Sequence, residues 1–239
     1  MHASIDSAML ARAPLFAGMP AGGLSEVASA ASAVRCMPGE TLFGQDDPAD
    51  AFFVLISGRV KIAQVTVEGH QVVLRYIGPG EVFGAVPLFT NTGYPAASIA
   101  VTDSMALRWD RATTHRLLQR YPSIVANALT IVGRRLHELQ NRYRELATER
   151  VEQRVGRAIL RLLEKAGHRE RSGVQIAFPL SRQDIAEMTG TTLHTVSRIL
   201  SEWEKRGVVQ GGRMRVIIRD PAALARIADD LPPGLTGEA

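Results

Sequence analysis

The sequence predicts an α+β chain: an N-terminal β-roll, a long dimerisation helix and a C-terminal winged helix-turn-helix. Three observations predict it. Across residues 37–108, short β-rich runs are cut by Gly, Pro and Asp about every eight to twelve residues, the rhythm of an antiparallel barrel or roll. Val125, Leu129, Val132, Leu136, Leu139, Tyr143 and Leu146 follow at spacings of 4-3-4-3-4-3, an unbroken a/d seam. Residues 181–207 read SRQDIAEMTGTTLHTVSRILSEWEKRG, two short helical patterns parted by Thr189-Gly190-Thr191.

Composition sets the bounds. A chain of 239 residues, 46% hydrophobic, exceeds a typical single domain and can bury sizeable cores. We expect a roll sensor over residues 1–110, the dimerisation helix over 111–148 and the winged domain over 149–239. The net charge is +4, and residues 149–219 alone carry 14 Lys/Arg against 8 Asp/Glu, so the C-terminal part is the basic one and suits a polyanion. One cysteine, Cys36, excludes a disulfide within the chain and a cysteine cluster for zinc or iron–sulfur. Residues 9–19 are broken by Pro14, and no apolar run of 18 residues follows. Neither a leader nor a membrane span is expected, and the cytoplasm is the expected location.

In chain order, Leu10, Leu15, Phe16 and Leu24 are spaced for packing in a helical lead-in, with a turn at Pro20 and a helix over residues 24–33. Strands are expected over residues 40–43, 51–56, 60–67, 71–77, 98–101 and 105–109, with Val82-Phe83-Gly84 leading into a loop through Pro95. Helices follow over 110–118, from Pro122 along the seam, and over 149–166. Residues 167–173 read as a loop, 174–178 as a strand, 208–218 as a hairpin or wing, and 221–228 as a last helix, with a frayed tail from Asp229. Arg134, Arg135, Glu138, Arg142, Arg144 and Glu145 flank the seam. A seam this regular on a charged helix suits pairing with its own copy, although a helix lying on the roll explains its first half equally well.

Within residues 181–207, Ser181 is placed as an N-cap with Asp184 in the first turn. Leu193, Val196, Ile199, Leu200 and Trp203 lie on one side of the second helix. The opposite face shows Thr192, His194, Thr195, Ser197 and Arg198, groups suited to phosphates and base edges, so this is read as the recognition helix.

Roll, long helix and winged helix-turn-helix, in that order, resemble the Crp-Fnr family of bacterial transcription regulators. Gly39-Glu40-Thr41-Leu42-Phe43, Phe52-Phe53-Val54-Leu55-Ile56-Ser57-Gly58-Arg59 and Gly78-Pro79-Gly80-Glu81-Val82-Phe83-Gly84 are similar to the family's roll motifs. Ser181-Arg182-Gln183-Asp184-Ile185-Ala186 and Thr195-Val196-Ser197-Arg198 resemble its DNA-binding signature. The resemblance implies a homodimer on double-stranded DNA with an inverted-repeat operator, and RNA polymerase as a partner. It implies Arg198 paired with a guanine, with Ser197 beside it. Ser181, Arg182, Thr192, Thr195 and Arg213 or Arg215 would sit on phosphates. His194 stands where related members carry a glutamate, so the target site should differ there.

The departures bear on the effector. Cyclic-nucleotide binders of the family have a glutamate after the cassette glycine and an Arg-Ser pair about ten residues on. Here Ala85 follows Gly84, the later stretch is Pro95-Ala96-Ala97, and Leu139-Gln140 stand for the polar pair of the long helix. Burying a phosphate without a cation is costly, so cyclic AMP is not expected. What remains is an apolar candidate pocket of Phe83, Gly84, Ala85, Val86 and Leu88 with Leu136 and Leu139, for an apolar ligand or haem. It is similar to the nitric-oxide regulators of the family. His70, His137 and His2 are the candidate axial ligands, although histidines so placed are more often surface side chains. Cys36 is read as a small buried hydrophobe. A cupin-type enzyme would need clustered ligands, and His70 is the single histidine between Met37 and Trp109. A regulator of this fold without any effector stays open.

Overall fold

In the computed structural model, which describes residues 7–85 and 92–230, the β-rich runs fold into two four-stranded antiparallel sheets. The strands are β1 (Ser32–Cys36), β2 (Thr41–Phe43), β3 (Ala51–Ser57), β4 (Val60–Val65), β5 (Gln71–Ile77), β6 (Val82–Phe83), β7 (Ala97–Ala100) and β8 (Ser104–Asp110). One sheet has the order β1-β8-β3-β6 and the other β2-β7-β4-β5. The continuous apolar run of β3 follows from burial on both faces. Phe53 and Leu55 enter the roll with Phe43, Val60, Ile77 and Phe83. Phe52 and Val54 face the other way, onto a second core with Leu10, Phe16, Trp109 and Leu117. Phe52 stacks on Trp109, whose indole N–H donates to the Val27 carbonyl at 2.9 Å. At the β3–β4 turn Gly58 has φ +86°, and a Cβ there would strike Ser104 and the Asp103 carbonyl, so only glycine fits.

Helices α1 (Ser7–Ala11) and α2 (Ala21–Ser29), with a 3₁₀ turn at Pro14–Phe16 between them, precede the roll. The expected helix over residues 24–33 therefore ends early, and β1 was not expected at all. Ala30 and Ala31 close the helix, and β1 is drawn into the sheet by full register with β8, from Ser32 opposite Arg108 to Cys36 opposite Ser104. After the roll come α3 (Arg111–Arg120), N-capped by Asp110, and α4 (Pro122–Thr148).

The chain divides into two compact units, residues 1–139 and 140–239. The second contains α5 (Val151–Ala166), β9 (Gly167–Glu170), β10 (Gly173–Ile176), α6 (Arg182–Thr189), α7 (Leu193–Lys205), β11 (Val209–Gly212), β12 (Arg215–Ile218) and α8 (Pro221–Ala228). Residues 167–173, expected as a loop, instead supply β9 and the turn into β10. The sheet order is β11-β12-β10-β9. Its core gathers Val155 and Ile159 of α5, Ile185 of α6, Val196, Leu200 and Trp203 of α7, and Ile218. The Trp203 indole N–H donates to Glu152 at 2.8 Å. Leu193, expected on this buried side, is 47% exposed because it opens the helix, one turn ahead of the packed positions. Glu145, expected as a charged flank of the seam, is buried, and both its carboxylate oxygens accept from Arg161 Nη1, at 2.6 and 2.9 Å. The tail beyond Asp230 lies outside the described residues.

Candidate nucleic-acid interface and roll cavity

The helix-turn-helix is assembled by local chemistry. The Ser181 Oγ accepts the Asp184 N–H at 2.9 Å, and the Asp184 carboxylate accepts the Ser181 N–H at 3.0 Å, a reciprocal capping box. Such a cap contributes about 1 kcal/mol. Gly190 ends α6 with φ +63°, the left-handed conformation that an L side chain resists. The N–H of Thr191 returns to the Ala186 carbonyl at 3.1 Å, which closes the turn before Thr192 caps α7.

The expected contact residues separate into two groups. Thr192, His194, Arg198 and Arg213 are exposed, and Thr195 and Ser197 are half-buried on the same helix. Arg198 and Arg213 meet no carboxylate among the described residues. The others are engaged within the fold, as are the Thr192 and Thr195 hydroxyls, which lie 3.0 Å apart while Thr192 Oγ1 accepts the Thr195 N–H. Arg182 lies 3.3 Å from Glu204, and Arg215 is held by Glu170 at 2.7 Å and by Gln175. Ser181 needs correction as a phosphate donor. Its hydroxyl proton goes to Asp184 Oδ2 at 2.5 Å and its N–H to the same carboxylate, so it has no donor left to offer.

In the first unit, a cavity of about 510 Å³ opens between the roll and the start of α4. Phe83, Gly84 and Ala85 line it as expected, and the stretch after the cassette contributes Tyr94, Pro95 and Ala96. Val86 and Leu88 lie outside the described residues. Leu136 and Leu139 are not in the lining. The helix wall is instead Val125, Ala128, Leu129, Ile131, Val132 and Arg135, which ends at the residue before Leu136, while Leu136 and Leu139 stay 55% and 62% exposed. Three seam positions thus belong to the cavity wall as well.

A cation was not expected in this pocket, yet two are there. Arg135 donates to the Val82 carbonyl at 2.8 Å and Arg75, from β5, donates to the same oxygen at 3.0 Å. Burial pushes the Arg135 pKa down from its ordinary value, against the attraction of Glu81 and Glu138. The fit to haem is poor. Among the described residues no His, Cys or Met lines the cavity, and residues 86–91 carry none in the sequence. His70 and His137 are exposed and outside the lining, and His2 lies outside the described residues. The Tyr94 hydroxyl is committed to the backbone of Ala51. Cys36 is buried, and burial raises its thiol pKa, aided by Glu40, which keeps it in the unreactive form.

A two-sheet roll with a ligand-sized cavity, followed by a winged helix-turn-helix, defines a DNA-binding transcription regulator. Residues 33–121 match the cyclic nucleotide-binding domain family and residues 153–227 the Crp-like helix-turn-helix domain family. The cyclic AMP receptor protein of Thermus thermophilus is 32% identical over 80% of this chain and 85% of its own length. The CRP-like cAMP-activated global transcriptional regulator of Mycobacterium tuberculosis is 27% identical over 92% of this chain and 98% of its own. The fold is shared with the solved structure of FixK2 from Bradyrhizobium japonicum, with a TM-score of 0.72 at 21% identity over 82% of this chain and 96% of that one. The chain belongs to the Crp-Fnr family of transcription regulators. These relatives are regulators, not enzymes, so the cupin-type alternative falls. Among the described residues no helix is long and apolar enough to cross a membrane.

Proposed function

We propose that the protein is a homodimeric regulator that reads an inverted-repeat operator under the control of a ligand, other than cyclic AMP, held in the roll. The observation that carries the dimer is the row of seven apolar side chains on α4, from 41% exposed at Val125 to 75% at Tyr143. An apolar row of this length left in water marks an interaction site, and its a/d spacing specifies a second copy of the same helix. On DNA, Arg198, His194 and Ser197 would reach base edges. Thr192, Thr195, Arg182 and Arg213 would meet phosphates. The wing arginine of choice is Arg213, since Arg215 is already neutralised by Glu170.

The two relatives named for cyclic AMP suggest that nucleotide as the effector, but the cavity argues against it. Ala85, Pro95 and Ala96 are apolar, and among the described lining residues the polar side chains are Arg75, Arg135 and Tyr94, whose hydroxyl is held by Ala51. RNA polymerase is the further partner proposed, and the bacterial cytoplasm the location, by likeness to these regulators. Sedimentation equilibrium of the purified protein tests the dimer. The expected mass is twice 25.9 kDa at micromolar concentration, and a monomer mass would remove the proposal.

A further inference from the structure

We infer that Glu145 and Arg161 are positioning residues for operator reading: their ion pair fixes the end of α4 to the winged domain and so sets the half-site spacing that a dimer accepts. This rests on the dimer of the proposed function. From Gln140 onward α4 belongs to the second compact unit, so the seam residues Tyr143 and Leu146 share that unit with α7. After Thr148 only Glu149 and Arg150 separate α4 from α5. A link that short still turns about its backbone dihedrals and holds no direction by itself. The side chains of α5 supply the constraint. Arg154, Arg157 and Arg161 follow at spacings of three and four and form one row along the helix. Arg161 Nη1 donates to both carboxylate oxygens of Glu145, at 2.6 and 2.9 Å. Arg157 donates to the Glu149 carboxylate at 3.0 Å. Arg154 donates to the Glu149 carbonyl at 2.9 Å and to the Thr189 carbonyl at 3.2 Å, so the same row reaches the turn of the helix-turn-helix. A Cβ placed on Gly190 of that turn would lie 3.4 Å from Leu146 Cδ2, so the turn packs beside the last seam residue.

The pair is a poor source of stability, which points to a different role. Among the described residues the buried charged ones are Glu145 and Asp184, and Asp184 is occupied by its capping box. The Arg161 Nε is buried with no hydrogen-bond partner among the described residues. Well-packed apolar side chains of similar volume are often as stabilising as a buried ion pair, or more so. What the pair adds is direction. A charge-assisted hydrogen bond is lost when its groups slip out of line, whereas apolar surfaces can slide over one another. Glu145 stands between Tyr143 and Leu146 in the chain, so the direction it fixes is that of the winged domain relative to the end of the seam. A two-fold axis repeats that direction in the second copy, and the separation of the two α7 helices follows from it.

The test is the affinity of the full-length protein for three kinds of duplex: the operator it selects, that operator with its centre one base pair longer or shorter, and a single half-site. The unaltered protein should prefer its own spacing by at least about tenfold. Glu145→Gln should sediment as a dimer and bind the single half-site within about twofold of the unaltered protein, while its spacing preference falls to about threefold or less. The double variant Glu145→Met, Arg161→Met keeps the volume and removes the direction. It should fold and lose the spacing preference in the same way, so it decides the matter if Glu145→Gln does not fold. Three results would overturn the inference: an unaltered protein indifferent to one base pair, a folded variant that keeps the full spacing preference, or half-site affinity that falls in parallel with operator affinity, which marks a structural role only. Variants that keep the spacing preference on an inverted repeat remove this inference alone. Selection of a single asymmetric site removes the proposed function as well.

Discussion

Arg198→Ala is expected to erase operator selectivity while leaving the fold and the dimer intact. Arg198 is exposed on the first turns of α7, pairs with no carboxylate among the described residues, and contributes nothing to the core. Its removal should change stability by no more than about 0.5 kcal/mol. A bidentate arginine–guanine pair is worth about 1–3 kcal/mol of discrimination, and a dimer makes it twice. The preference for operator over random duplex should fall at least about thirtyfold in gel-shift competition. A different result would identify a phosphate contact. Affinity would then drop equally for all sequences, and the slope of log affinity against log salt would lessen by about one. That outcome would contradict base reading by Arg198.

The second large effect is expected at the seam. Leu136 and Leu139 are 55% and 62% exposed and stand outside the cavity lining, so replacing both by Glu costs the isolated chain little. In a dimer they would face their own copies. Four carboxylates in an apolar seam would lose hydration and repel one another. The double variant should sediment as a monomer at concentrations where the wild type is dimeric, and its DNA affinity should fall by about two orders of magnitude or more, since one half-site must then bind alone. Its melting temperature, read at a concentration where both proteins are monomeric, should be nearly unchanged. A variant that remains dimeric would move the interface elsewhere. Leu129 and Val132 are less suitable for this test, because they also line the cavity.

Local signals made most of the fold legible. Turn residues cut the roll correctly, and β5 and α8 begin and end where their flanking residues predict. Ser181, Asp184 and Gly190 announce the helix-turn-helix through capping chemistry that needs no tertiary context. Two missed strands show the limit. β9 is Gly-His-Arg-Glu, an exposed edge with no apolar alternation, and only its pairing with β10 makes it a strand. β1 is almost as exposed and is held by β8, some 70 positions on. The site was legible where it is a helix face and illegible where it is a cavity. Helical periodicity places His194, Ser197 and Arg198 together. Nothing local says that Arg75 and Arg135 meet at Val82, or that the helix wall begins at Val125 rather than Leu136. The hydroxyl of Ser181 was legible as a cap, and that role is what takes it from the phosphate.

The most direct test of a dimer reading DNA through α7 is the selection of binding sites from a random duplex library, followed by insertion of five base pairs at the centre of the selected site. The selected duplexes should share an inverted repeat with half-sites about one helical turn, or roughly 34–36 Å, apart, each containing a G·C pair that Arg198→Ala no longer requires. The insertion turns one half-site to the opposite face of the duplex and should abolish the dimer complex. A single asymmetric site, or a complex equally stable after the insertion, would contradict the account.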